Sequence, residues 1–218
     1  MVSDFQETKW VLGIGFCYVL IVINAVAVGT SLFPDRENVS IFDLLKIVWK
    51  IPMITIIAGT NRHGSMTLKT ANIYYKMLQE AGADVHMLSL EGKQVWERGA
   101  DMMEIERTLL IPSTKFLFVM PEYNASFPGI LKMLMDNSDV KKCWWYKKAA
   151  LVGLSDGRAG NLRGLEHMTA ILNYLKINVL YNKMLLSKIG EEVDTNGHLL
   201  KSGTEKLMQV QVEEFLKF

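Results

Sequence analysis

Several kinds of residue and motif are scarce in this chain of 218 residues, and each scarcity excludes something. Two cysteines, Cys17 and Cys143, are too few for a disulfide framework or a zinc site. The four histidines (His63, His86, His167, His198) are scattered without metal-ligand spacing, so no metal site is expected. No excess of one charge exists: the formal net charge is +1 with both signs interspersed, which argues against an electrostatic nucleic-acid binder. Repeats and low-complexity segments are absent. So are the glycine spacing of a dinucleotide fingerprint and the Gly-Lys-Ser/Thr ending of a P-loop.

What is present centres on Met53 to Gly82. Ile54–Ala58 is a short apolar run rich in β-branched residues, which predicts a buried strand. Gly59 breaks it, and Thr60-Asn61-Arg62-His63-Gly64-Ser65 follows as a loop of small and hydroxyl residues around one arginine. From Thr67 on, Leu68, Ala71, Tyr75 and Leu78 recur at helical spacing. A loop of this kind offers free backbone N–H groups at a helix N-terminus, where the dipole also favours an anion. Thr60, Ser65 and Thr67 add hydroxyls, and Arg62 adds a fork suited to phosphate oxygens. The stretch reads as a cradle for a monophosphate; the competing reading is an ordinary strand–helix turn with a surface arginine.

The remaining chain alternates in the same way. Strands are predicted at Val85–Leu90, Lys115–Met120, Lys147–Leu154 and Ile177–Leu180. Helices are predicted at Asp101–Leu110, at Gly129–Asn137, through Leu162–Leu175 and at Lys201–Phe218. This alternation implies a parallel sheet with helices on both faces. Three loops of small residues follow the first, third and fourth strands: the one at Gly59, Pro121 to Gly129, and Gly153 to Gly160. In a five-stranded sheet of order 2-1-3-4-5 those strands are neighbours, and the loops meet at one end, where such sheets bind ligands.

With these residues in view, residues 53–218 resemble the NADPH-dependent FMN reductase family, which includes flavodoxin-like quinone, azo-dye and chromate reductases. The resemblance rests on Gly59-Thr60-x-Arg62-x-x-Ser65. It rests more on Pro121-Glu122-Tyr123-Asn124-x-Ser126-x-Pro128-Gly129-x-Leu131-Lys132. It implies a flavodoxin-like three-layer α/β sandwich, FMN as cofactor and NADPH or NADH as co-substrate. Gly59, Thr60, Arg62, Ser65 and Thr67 would hold the phosphate. Pro121, Glu122, Tyr123 and Asn124 would line the flavin ring, with Ser155 and Gly157 near its far edge. Hydride would pass from NAD(P)H through FMN to a small acceptor such as a quinone, so no catalytic side chain is assigned. Two departures stand out. Thr60 replaces the family's usual serine, and the third loop has Ala159-Gly160 in place of paired glycines. The resemblance further implies a homodimer or homotetramer. It places Lys141 to Lys148, basic with aromatics between, in a dimer contact near the flavin rather than on nucleic acid.

The resemblance does not reach residues 1–52. Trp10 to Phe33 is 24 residues without a charge. As a helix it would span roughly 36 Å, enough to cross a bilayer. Three readings are open: a membrane anchor, an extension upstream of a domain that begins at Met53, and a cleaved signal ending near Ala25-Val26-Ala27. Asp4 and Glu7 outweigh Lys9, against the signal. Arg36, Lys46 and Lys50 follow the apolar run, which would leave the domain on the cytoplasmic side. The expected location is cytoplasmic, free or tethered to the membrane's inner face. The alternative to an enzyme is a non-catalytic, membrane-tethered flavin-binding or redox-sensing module. A protein-partnered electron carrier would be expected to show a strongly acidic face, which the near-neutral charge disfavours.

Overall fold

In the computed structural model, residues 52–218 are described, and they form one compact unit, Pro52–Phe218. The predicted extension and its apolar run at 10–33 lie outside the described residues. Among the described residues no helix is long and apolar enough to cross a membrane.

The sheet is parallel throughout. Strand β1 (Ile54–Ala58) lies between β2 (Val85–Ser89) and β3 (Lys115–Pro121); β4 (Lys148–Leu154) pairs β3, and β5 (Asn178–Val179) pairs β4. The order is 2-1-3-4-5, the flavodoxin-like arrangement that the resemblance implied. Helix α1 (Met66–Glu80) follows β1. Helix α2 (Ala100–Ile105) continues through a π-helical turn at Glu106–Leu110. Helices α3 (Gly129–Asn137) and the short α4 (Val140–Cys143) precede β4. Then come α5 (Leu162–Tyr174) and, last, α6 (Ser202–Lys217).

Successive residues of a strand point to opposite faces, and the core divides accordingly. Ile54, Ile56, Leu117, Val119, Ala150 and Val152 face α1 and α6, meeting Tyr74, Leu78, Val212 and Phe215. Ile57, Phe116, Phe118, Met120 and Leu151 face the other way, against Met102, Leu134, Trp144, Leu165 and Met168. Covered on both sides, β3 has no exposed residue from Phe116 to Met120, which is why its sequence is continuously apolar.

The fifth strand departs from expectation. Ile177–Leu180 was expected as one strand, but only Asn178–Val179 pairs there, and a further strand, β6 (Met184–Leu186), pairs the upper half of β4. The cause is Gln211, fully buried on α6. Its side-chain amide donates to Leu151 O (3.1 Å) and to Asn182 O (2.8 Å), taking the β4 carbonyl at the break and holding the linker between β5 and β6. Tyr74 donates in turn to the Gln211 carbonyl at 2.7 Å.

Candidate functional site

The loops after β1, β3 and β4 converge at the carboxyl end of the sheet around one cleft of about 220 Å³. Arg62, Ser65 and Thr67 line one part of it, Pro121, Glu122 and Tyr123 a second, and Leu154, Ser155 and Asp156 a third, with Ile189 closing the side.

The first loop ends in a helix start built by Ser65. Its hydroxyl oxygen accepts from the Leu68 N–H at 3.2 Å, so Ser65 is the N-cap of α1. Met66 and Thr67 occupy the first turn, where N–H groups have no partner within the helix. Thr67 is buried, and it lines the cleft. Arg62 is exposed at the rim, its guanidinium carbon 4.2 Å from the centre of the Tyr123 ring.

The second loop is a tight hairpin. Tyr123 and Ser126 exchange backbone hydrogen bonds of 2.8 and 3.2 Å around Asn124 and Ala125. Both central residues have positive φ, +50° and +64°, the geometry of the turn that suits the strand twist. The Tyr123 hydroxyl and Thr60 Oγ1 lie 2.7 Å apart, which joins the first loop to the second. In the third loop, Ser155 donates its N–H to Leu186 O (3.1 Å) and its hydroxyl to Gly157 O (3.2 Å).

Seven of the residues expected in the site therefore line the cleft: Arg62, Ser65, Thr67, Pro121, Glu122, Tyr123 and Ser155. The other four do not line it: Gly59 and Thr60 are buried, and Asn124 and Gly157 are exposed. Gly59 gives its N–H to Val119 O at 2.8 Å, and a Cβ there would come 2.8 Å from Leu131 Cδ2, so its smallness serves close approach of loop to helix α3. Thr60 is buried, its hydroxyl engaged with Tyr123. Asn124 forms the hairpin tip. Gly157 contributes a carbonyl that accepts from the Lys188 N–H at 2.9 Å. Lys141 to Lys148 leads into the start of β4, and the cleft of the same chain lies beyond the other end of that strand. Within it Trp144 is wholly buried and donates to Ser138 Oγ at 2.7 Å, and Lys176 covers the Trp145 ring at 3.7 Å.

Sequence reasoning missed Asp156, Ile189 and, behind the cleft, Asn161. A carboxylate inside a small-residue loop was a usable signal for Asp156. Ile189 comes from beyond the unexpected strand β6, and nothing local announces it.

The donor set suits a phosphate monoester: hydroxyls of Ser65 and Thr67, first-turn N–H groups, the positive end of a 15-residue helix, and one arginine. From there the cleft runs between the Pro121–Tyr123 and Leu154–Asp156 walls. Among the described residues no cluster of His, Cys, Asp or Glu is arranged to hold a metal ion. Among the described residues, the cleft hydroxyls of Ser65, Ser155 and Tyr123 are bonded to backbone groups or to another hydroxyl, not to a base. Cys143 is buried elsewhere, and burial, with the Glu106 charge adding to it, pushes its thiol up to about 12.

The family model described as NADPH-dependent FMN reductase matches residues 52–191. The chain is 25% identical over 172 residues to a 2-hydroxy-1,4-benzoquinone reductase of Burkholderia sp., covering 74% of this chain and 93% of that one. It is 29% identical over 135 residues to an NAD(P)H-dependent FMN reductase of Pseudomonas aeruginosa, covering 60% and 73% respectively. Among solved structures, the NAD(P)H:(acceptor) oxidoreductase FerB of Paracoccus denitrificans superposes with a TM-score of 0.62 at 20% identity, over 77% of this chain and 96% of that one. At that identity the likeness is one of fold.

Proposed function

Because the chain belongs to the NADPH-dependent FMN reductase family, and is therefore an FMN-dependent NAD(P)H oxidoreductase, we propose that its cleft holds the flavin and serves a small quinone-type acceptor. Bound FMN supplies the hydride chemistry between nicotinamide and acceptor, and the protein supplies binding, orientation and shielding. In this reading Ser65, Thr67, Arg62 and the first turn of α1 take the phosphate. Pro121, Glu122 and Tyr123 support the ring from one wall, and Leu154, Ser155 and Asp156 from the other. Gly59 and Thr60 support the first loop from within, and Asn124 and Gly157 shape the turns of the second and third.

The observation that carries the reading is the convergence of three loops, from strands adjacent in the sheet, on one cleft with a phosphate donor set at one end. The quinone acceptor is supported by the similarity to the Burkholderia benzoquinone reductase. A homodimer or homotetramer belongs to the same reading, and light scattering of the pure chain tests it. So does a place on the cytoplasmic side, where NADPH is at hand, free or tethered to the membrane's inner face through residues 10–33.

The test of function is direct. Purified chain incubated with FMN and desalted should be yellow, and should oxidise NADPH steadily when benzoquinone is supplied. A flavin-bound protein that does not turn over would be the non-catalytic module instead. A protein that retains no FMN would end the reading altogether.

A further inference from the structure

Asn161 behaves unlike an ordinary helix cap. It occupies the N-cap of α5 with φ of +66°, where asparagine usually accepts a hydrogen bond from the first helical turn. Here the side chain makes no capping bond. It is wholly buried and turns instead across the end of the sheet, and its Nδ2 donates to Met120 O at 3.1 Å and to Pro121 O at 3.0 Å. Two carbonyls on one side fix the amide's orientation, since only an NH₂ group can face both. Its Oδ1 is left buried with no partner, which is costly. That oxygen lies against Gly164: a Cβ added there would come 2.1 Å from Oδ1.

The two carbonyls belong to the residues at which β3 gives way to the second cleft loop. The next three residues include two of the cleft wall, Glu122 and Tyr123. We infer that Asn161 is a positioning residue: its carboxamide staples the third loop to the end of β3 and so sets the ring-side wall of the cleft. The left-handed pair of this loop is Gly160 and Asn161, at +56° and +66°, one residue beyond the Ala159-Gly160 expected to stand for paired glycines. A glycine at 161 would meet the backbone requirement alone. Asparagine meets it and adds the staple. This inference rests on the reading of the cleft as a flavin site, but the staple itself has a test that needs no ligand.

Three variants of the full chain test it: Asn161→Gly, Gly164→Ala and the double variant. Asn161→Gly keeps the backbone conformation and removes the donors. Gly164→Ala leaves Asn161 in place and pushes its amide off the carbonyls, although alanine is the better helix former. Each single variant should weaken FMN and riboflavin alike, by about tenfold, the scale of one lost hydrogen bond, because the ring wall is shared by both flavins. The double variant should be no worse than Asn161→Gly, since with the side chain gone the added methyl has space. Without any flavin, amide hydrogen exchange at Glu122, Tyr123 and Ser126 should speed up in both single variants.

A cap that serves only stability would lower the melting temperature and leave these amides and the flavin affinities of the folded protein unchanged. That result, or strictly additive effects in the double variant, overturns the inference. If the unaltered chain binds neither flavin, the functional reading fails, and the exchange measurement still decides whether Asn161 holds the loop.

Discussion

Arg62 lies across the face of Tyr123, 4.2 Å from guanidinium carbon to ring centre, while the Tyr123 hydroxyl meets Thr60 Oγ1 at 2.7 Å. One tyrosine thus touches the first loop twice from the neighbouring loop. The aromatic face gives the arginine a resting place at the rim, and a phosphate in the cleft would compete with it for the cation. Arg62→Ala should therefore weaken FMN by roughly 1.5–3 kcal/mol, the worth of a charged hydrogen bond, and riboflavin much less. Paired titrations of the two flavins measure the difference. Equal losses would remove Arg62 from the phosphate.

Ala125 bears a backbone strain that its side chain does not relieve. At φ of +64° an alanine is disfavoured, and glycine there costs nothing sterically. Ala125→Gly should stabilise the protein by about 1 kcal/mol, seen as a higher midpoint in urea. A lower midpoint would mean that Ala125 carries no strain at this turn.

Lys147 supplies a pH dependence. Its ammonium reaches the Leu110 and Ile111 carbonyls at the end of the π-helical turn. Burial pulls its pKa down to about 8 from an ordinary 10.5. A lowered amine pKa means that the unfolded chain holds the proton more tightly than the folded one. At this group the unfolded state therefore binds more protons between about pH 8 and 10.5, and the contribution of Lys147 to stability should rise with pH across that window. Below the window both states are charged and the burial cost is fully present. Urea midpoints of the unaltered chain and of Lys147→Met, compared from pH 7 to 10.5, should diverge most at the low end. Parallel profiles would show that the amine keeps its ordinary pKa.

The domain boundary can be tested by cutting at it. Pro52–Phe218 forms a compact unit whose sheet is covered on both faces. A fragment beginning at Met53 should be soluble and bind FMN as the full chain does. Full-length protein should fractionate with membranes if Trp10–Phe33 is an anchor, since an uncharged stretch of that length left in water is an oversized apolar patch. Detergent-free, monodisperse full-length protein would rule the anchor out, and an insoluble fragment would move the boundary.

Much of this molecule was readable from local chemistry. A strand buried on both faces must be apolar at every position, and a helix on its surface must repeat at helical spacing. Hence Ile54–Ala58, Lys115–Met120 and the helices between them were legible in order, and their alternation implied the parallel sheet. The breaks after the strands carried their own turn chemistry, so the three cleft loops could be named as well. What the sequence could not decide depends on groups far apart along it. Asn161 reaches a carbonyl 41 positions away, and Gln211 takes one 60 positions away and thereby splits the fifth strand. Which hydroxyls face the cleft and which are spent inside its walls was equally a matter of such pairings, as with Thr60 and Tyr123. Local pattern fixes which segments must be buried, because burial is a property of each segment's own side chains. Only the tertiary structure decides which polar group meets which, because a hydrogen bond needs its two partners within about 3 Å of each other and no periodicity encodes that.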